Sequence, residues 1–281
     1  MKTRIITAAV AILILSGIIA ASIFVDMKIL YFTLTIVAII ATYEMLSAIN
    51  IININAISIP SFICVIMIQL SLLFSGDSVY VIIITLLGYA LSMFICAIVM
   101  YDKVKIIDIA VAILGTLMVA FPIYSICVIY WREDIVDGLV LLLYCLMVSW
   151  LTDSGAYFAG TFFGKHKMSP LISPKKTIEG AMGGVIAGVF LTWLAFFLSI
   201  TVFGWLPYLI NTRNMIIVTF LCSIISIIGD LSFSLIKRSY DIKDYGRLLP
   251  GHGGILDRFD SVFFVCPAVC ILNILLPVFV M

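Results

Sequence analysis

Apolar runs of about 20 residues recur along the whole chain, and nothing else in the sequence constrains the fold as strongly. They lie at roughly 5–25, 29–50, 57–75, 79–100, 106–130, 135–160, 180–203, 214–236 and 259–280. A helix of about 20 residues rises about 30 Å, the thickness of a bilayer's hydrocarbon core. Composition agrees: 64% of the 281 residues are hydrophobic and 11% charged, where a soluble domain has about half and about a quarter. The expected fold is therefore all-α, a polytopic membrane protein of about nine transmembrane helices. The second and third runs are divided only by the polar Asn50, Asn53 and Asn55. The first run follows Lys2 and Arg4. It is longer than a signal-peptide core and has no small-x-small cleavage site after it, so it is read as a spanning helix.

The cations set an orientation. With nine spans, one side of the membrane collects Lys2, Arg4, Lys103, Lys105, Lys165, Lys167, Lys175, Lys176, Lys237, Arg238, Lys243, Arg247 and Arg258. The other collects Lys28, Arg132 and Arg213, a split of 13 to 3. Cytoplasmic loops carry such an excess, so the N-terminus is expected in the cytoplasm and the C-terminus outside. The expected location is a bacterial plasma membrane, crossed many times, with the active site facing the cytoplasm. The net charge of +1 gives no sign of a nucleic-acid partner. All seven cysteines lie in apolar stretches with no Cys-x-x-Cys, so neither disulfides nor zinc are expected.

Residues 1–134 read as a transmembrane scaffold and 135–281 as a catalytic transmembrane region with two cytoplasmic loops. Glu44, near the end of the second span, is the exception in the first half, and its role stays open. In the sixth span, Asp153, Tyr157, Gly160 and Gly164 follow helical spacing and share a face. A membrane carboxylate either serves a function or bonds a neighbouring helix near the interface, and both readings stand for Asp153. The loop from Lys165 to Gly180 is basic, with Ser173 as an expected N-cap and Pro174 at the first helical position. Lys175 and Lys176 there suit an anion, or simply orient the loop against anionic lipid. Gly180, Gly184 and Gly188 form a small-xxx-small ladder, read as helix packing.

Charge is densest from Gly229 to Ser261. Asp230, Ser234 and Lys237 share a helical face, and a Gly- and Pro-rich turn presents Asp257, Arg258 and Asp260. Carboxylate oxygens hold Mg²⁺, and Lys and Arg neutralise phosphate. Gly253 and Gly254 let backbone approach an anion. These residues together describe a membrane enzyme that handles a phosphate ester at the cytoplasmic interface.

From Ser234 to Asp260 the sequence resembles the signature of phosphatidate cytidylyltransferases (CDP-diacylglycerol synthases). The matching positions are Ser234, Lys237, Arg238, Lys243, Asp244, Gly246, Pro250, His252, Gly253, Gly254, Asp257, Arg258 and Asp260. The stretches Thr152–Tyr157 and Ser173–Gly180 are also similar to the family's. Two departures are visible: Thr161 where the family often has Arg, and Ile178 where it has Trp. The resemblance covers about 110 residues of the C-terminal half. It implies that CTP and phosphatidic acid give CDP-diacylglycerol and pyrophosphate in phospholipid biosynthesis, with Mg²⁺. It further implies Asp230 and Asp257 as Mg²⁺ ligands, with Asp153 a third ligand or the ligand of a second cation. Lys237, Arg238, Lys243 and Arg247 would grip phosphates. Lys175 and Lys176 would bind nucleotide or lipid phosphate, alongside Ser234, Gly253, Gly254 and Arg258. His252 would orient the glycine turn or bond a phosphate. The expected partners are CTP, phosphatidic acid, the bilayer and, from the family, a second copy as a homodimer. Two rivals share some of these residues: a CTP-dependent kinase of a lipid alcohol, and an ion-coupled transporter using Asp153 and Asp230.

Overall fold

A computed structural model describes residues 13, 16–26, 28–74, 78–130, 135–204, 209–246 and 253–280. Its elements are almost all helical. Helix α1 covers residues 16–24, and residues 5–12, 14 and 15 of the first expected span lie outside the described residues. Then come α2 (Lys28–Ala48), α3 (Asn55–Leu70), α4 (Ser78–Val99), α5 (Ile106–Tyr130) and α6 (Ile135–Phe163). A hairpin of β1 (Lys167–Ser169) and β2 (Ser173–Thr177) leads into α7 (Ile178–Phe197) and a π-helical turn. Strand β3 (Leu209–Ile210) precedes α8 (Thr212–Ser239), α9 (Leu256–Phe259), α10 (Val262–Leu275) and β4 (Phe279–Val280).

Among the described residues seven helices are long and apolar enough to cross a membrane, and they correspond to the second through eighth expected spans. The last expected span contains the shorter apolar helix α10. The fold is thus an all-α polytopic membrane protein. Its outer surface follows from that solvent. Helix α4 exposes Val79, Ile83, Ile84, Leu87, Leu91, Phe94, Ile95 and Ile98, a face that only lipid can cover at no cost. Between α2 and α3 the chain turns at Asn50, whose φ of 60° is a left-handed conformation that Asn tolerates.

The chain divides into two compact units. One comprises Met1–Ile135 and Ser239–Phe259, and the other Val136–Arg238 and Asp260–Met281. In the first unit α2, α3, α4 and α5 pack together. With lipid outside, apolar burial alone does not hold such helices, and buried polar pairs add specificity. Gln69 donates to the Ala120 carbonyl at 3.0 Å, and the Tyr31 hydroxyl donates to the Gln69 carbonyl. Tyr89 meets Ser61 at 2.9 Å and Thr116 at 3.0 Å.

In the second unit the glycine ladder is a helix-packing seam, as its spacing predicts. Gly180, Gly184 and Gly188 of α7 are all buried. A Cβ at Gly184 would meet the Thr152 carbonyl and the Ala156 Cβ at 2.8 Å, and one at Gly155 would run into Ala187. Thr152 of α6 donates to Ser223 of α8 at 2.9 Å, and Tyr144 and Thr219 share a bond of 2.7 Å. All seven cysteines are free, six of them buried.

Candidate active site

The second unit gathers acids and bases at one cavity of about 520 Å³, lined by Asp153, Thr161, Lys175, Lys176 and Asp230 among others. Asp153 comes from α6, Asp230 from α8, and the two lysines from the hairpin before α7. The hairpin corrects one expectation. Ser173 is not an N-cap, and Pro174 does not open a helix. Both lie in β2, whose partner is β1. The helix starts four residues later, where the Thr177 hydroxyl accepts the Gly180 N–H at 3.1 Å. Pro174 is tolerated because an edge strand leaves its missing N–H without a ladder partner.

Glu179 ties the hairpin's base to the helix. Its carboxylate accepts from the backbone of Lys165 at 3.1 Å and of His166 at 3.2 Å, and meets His166 Nδ1 at 2.6 Å. The hairpin is therefore held at both ends of its closure, which fixes where Lys175 and Lys176 stand. Lys176 Nζ lies 2.5 Å from Asp230 Oδ2. The Ser234 hydroxyl, one turn along α8, reaches Asp230 Oδ1 at 3.4 Å. Ser261 donates to Asp153 Oδ2 at 2.9 Å. Arg238 Nε donates to the Ile172 carbonyl at 3.3 Å, bracing the hairpin from α8.

Asp260 is the carboxylate that sequence reasoning left without a role. It belongs to the same unit as Asp153 and Asp230 and precedes α10. Asp230, Asp153 and Lys237 are its charged neighbours. Its signal was present as the last acid of the signature. Carboxylate oxygens are the donors that a hard divalent cation takes, and Asp153 and Asp230 both line the cavity. Lys176 already neutralises Asp230 as a bound cation would. Among the described residues, no three His, Cys, Asp or Glu side chains are arranged to hold a metal ion.

The rest of the signature lies in the first unit, on the segment after α8. Lys243 and Arg258 are exposed. Asp257 Oδ2 accepts two backbone N–H groups, from Tyr245 at 2.8 Å and Gly254 at 3.0 Å. Gly253 has a φ of 87°, and a Cβ there would stand 2.8 Å from Asp257 Oδ2, so a side chain is disfavoured twice over. Gly254 does approach an anion. That anion is the protein's own, the buried carboxylate of Glu44 in α2. Arg247 and His252 lie outside the described residues.

The family model described as "Cytidylyltransferase family" matches residues 2–276. A phosphatidate cytidylyltransferase of Staphylococcus epidermidis is 35% identical over 280 residues, covering 98% of this chain and 99% of the relative. One from Staphylococcus aureus is 34% identical over 279 residues, with the same coverage. One from Staphylococcus haemolyticus is 48% identical over 140 residues, half of each chain.

Proposed function

The chain belongs to the cytidylyltransferase family, and from that premise we propose how its residues carry the reaction. It is a nucleotidyltransferase of phospholipid biosynthesis, embedded in a membrane by many helices, that makes CDP-diacylglycerol from CTP and phosphatidate. In the mechanism we infer, a phosphate oxygen of phosphatidate attacks the α-phosphorus of CTP in line. The bond from that phosphorus to the oxygen bridging the β-phosphate breaks, and pyrophosphate leaves. No covalent enzyme intermediate is required, so positioning and charge neutralisation carry the rate.

The observation that supports this reading best is the cavity holding Asp153 and Asp230 opposite Lys175 and Lys176. Lys175 and Lys176 bind phosphate of the nucleotide or the lipid. Lys237, Arg238, Lys243 and Arg247 neutralise the remaining phosphate charge, with Ser234 and Arg258 supporting. Asp153 and Asp230 would hold Mg²⁺ together with phosphate oxygens of the substrates. Asp257 keeps the ligand role that the signature implies for it. When bound, Mg²⁺ would polarise the phosphoryl oxygens and stabilise charge on the leaving pyrophosphate. The active site faces the cytoplasm, where CTP is.

Purified protein given CTP, phosphatidate and Mg²⁺ is expected to release pyrophosphate and CDP-diacylglycerol in equal amounts, and chelation of the metal is expected to stop both. Pyrophosphate without the lipid product would reject the proposed transfer. Orientation is tested separately. Cysteines introduced at Lys175 or Lys243 should react with an impermeant reagent only from the cytoplasmic side of sealed vesicles. External labelling of either position would overturn the topology.

A further inference from the structure

The clearest feature outside the cavity is Glu44. It is 4% exposed, an acid near the end of α2 in a scaffold whose other described buried side chains are uncharged. Its Oε1 accepts the Ile255 N–H at 3.1 Å and its Oε2 accepts the Leu256 N–H at 3.0 Å. Ile255 precedes α9 and Leu256 opens it, positions whose N–H groups find no acceptor in the helix itself. Two glycines close around the same carboxylate. A Cβ at Gly254 would run into both oxygens, and one at Gly246 into Oε1. Gly246 and Gly254 are signature residues, and so are Lys243, Asp257 and Arg258 on the same segment.

A buried acid from a helix some 210 residues away thus takes two consecutive N–H groups of the signature segment. A packing role would call for an apolar side chain at this place, because an acid in an apolar interior is costly unless its bonds are needed. We propose that Glu44 is a positioning residue for cytidylyl transfer: its carboxylate fixes the backbone from Gly254 to Leu256, and through it the placement of Asp257 and Arg258. Glu44 touches neither substrate. The inference rests on the function proposed above and gives the N-terminal helices a part in the chemistry.

Glu44→Gln keeps shape and one acceptor but turns an amide NH₂ toward a backbone N–H. Turnover per folded protein at saturating CTP and phosphatidate should fall about tenfold to a hundredfold, with apparent KM values changing less than about threefold. Hydrogen exchange at Ile255 and Leu256 should quicken at the same time. Glu44→Asp, which restores the charge one methylene short, should recover part of the turnover. Gly254→Ala presses on the carboxylate from the other side and should reproduce the loss. Combined with Glu44→Ala it should add little, because the group its methyl meets is gone. Additive losses would mean that Gly254 acts independently of Glu44 and would overturn the proposal. So would a Glu44→Gln protein with reduced stability but normal turnover and unchanged exchange. If Glu44→Gln does not fold, the Glu44→Asp and Gly254→Ala proteins give the same reading. A wild-type protein inactive on CTP and phosphatidate would sink the proposed function. Exchange at Ile255 and Leu256 would still report whether Glu44 holds the segment.

Discussion

Asp230→Asn should lower turnover by about a hundredfold to a thousandfold at saturating CTP and phosphatidate, with little change in the yield of folded protein. The expectation comes from the charges around it. Asp230 shares its unit with Asp153 and Asp260, and its carboxylate lies close enough to Asp260 to repel it. Neutralising one member of such a set relieves repulsion, which favours the fold. The opposing effect is the loss of the partner of Lys176, 2.5 Å away. Both side chains are about a quarter exposed, so that loss is well below the roughly 3–5 kcal/mol of a fully buried pair. Stability therefore moves little while the chemistry loses an anionic oxygen. A purely structural ion pair predicts otherwise. In that case Asp230→Asn and Lys176→Ala would destabilise alike, and each folded molecule would turn over normally. Activity per folded protein, set beside thermal unfolding of both variants, separates the two accounts.

The membrane fold was legible because lipid imposes a length. A run expected at 29–50 is the helix Lys28–Ala48, and one expected at 214–236 is Thr212–Ser239. Small-residue spacing foretold the α6–α7 seam for a similar reason, since close backbone approach admits little beyond glycine and alanine. The hairpin at Lys167–Thr177 was not legible. It is two short polar strands without an apolar alternation, and its Ser-Pro start imitates a helix cap. Its stability comes from Glu179 and Thr177, outside or at the edge of the strands.

Glu44 illustrates a different limit. Its own position announced an unusual residue, but its partners are two backbone N–H groups far along the chain, and main-chain donors leave no mark in a sequence. Of the two glycines expected to let backbone approach an anion, Gly253 and Gly254, the second is the one beside it. The physical deduction, close approach of backbone to an anion, was sound; the structure supplies a carboxylate at that place. Asp260 was overlooked because its signal was diluted by Asp257 three residues earlier in the same motif.

Asp257→Asn addresses the acid whose two roles are hardest to separate. Both backbone bonds that organise its segment, from Tyr245 and Gly254, converge on the single oxygen Oδ2. An asparagine carbonyl placed there accepts the same two N–H groups, with the amide nitrogen taking the other position. These two bonds then lose their charge assistance, about 1 kcal/mol. A loss that small lowers stability slightly and leaves the Mg²⁺ dependence of the reaction where it was. Loss of a metal ligand has another signature, because a neutral amide holds Mg²⁺ far less well than a carboxylate. Turnover should then drop by about a hundredfold, and the Mg²⁺ concentration needed for half-maximal rate should rise, so that high Mg²⁺ restores part of the activity. We expect the second pattern, read from rates across a Mg²⁺ series with CTP and phosphatidate saturating. A variant that turns over normally once folded, or one whose loss is the same at every Mg²⁺ concentration, would remove Asp257 from the ligands and leave it as the residue that shapes the loop.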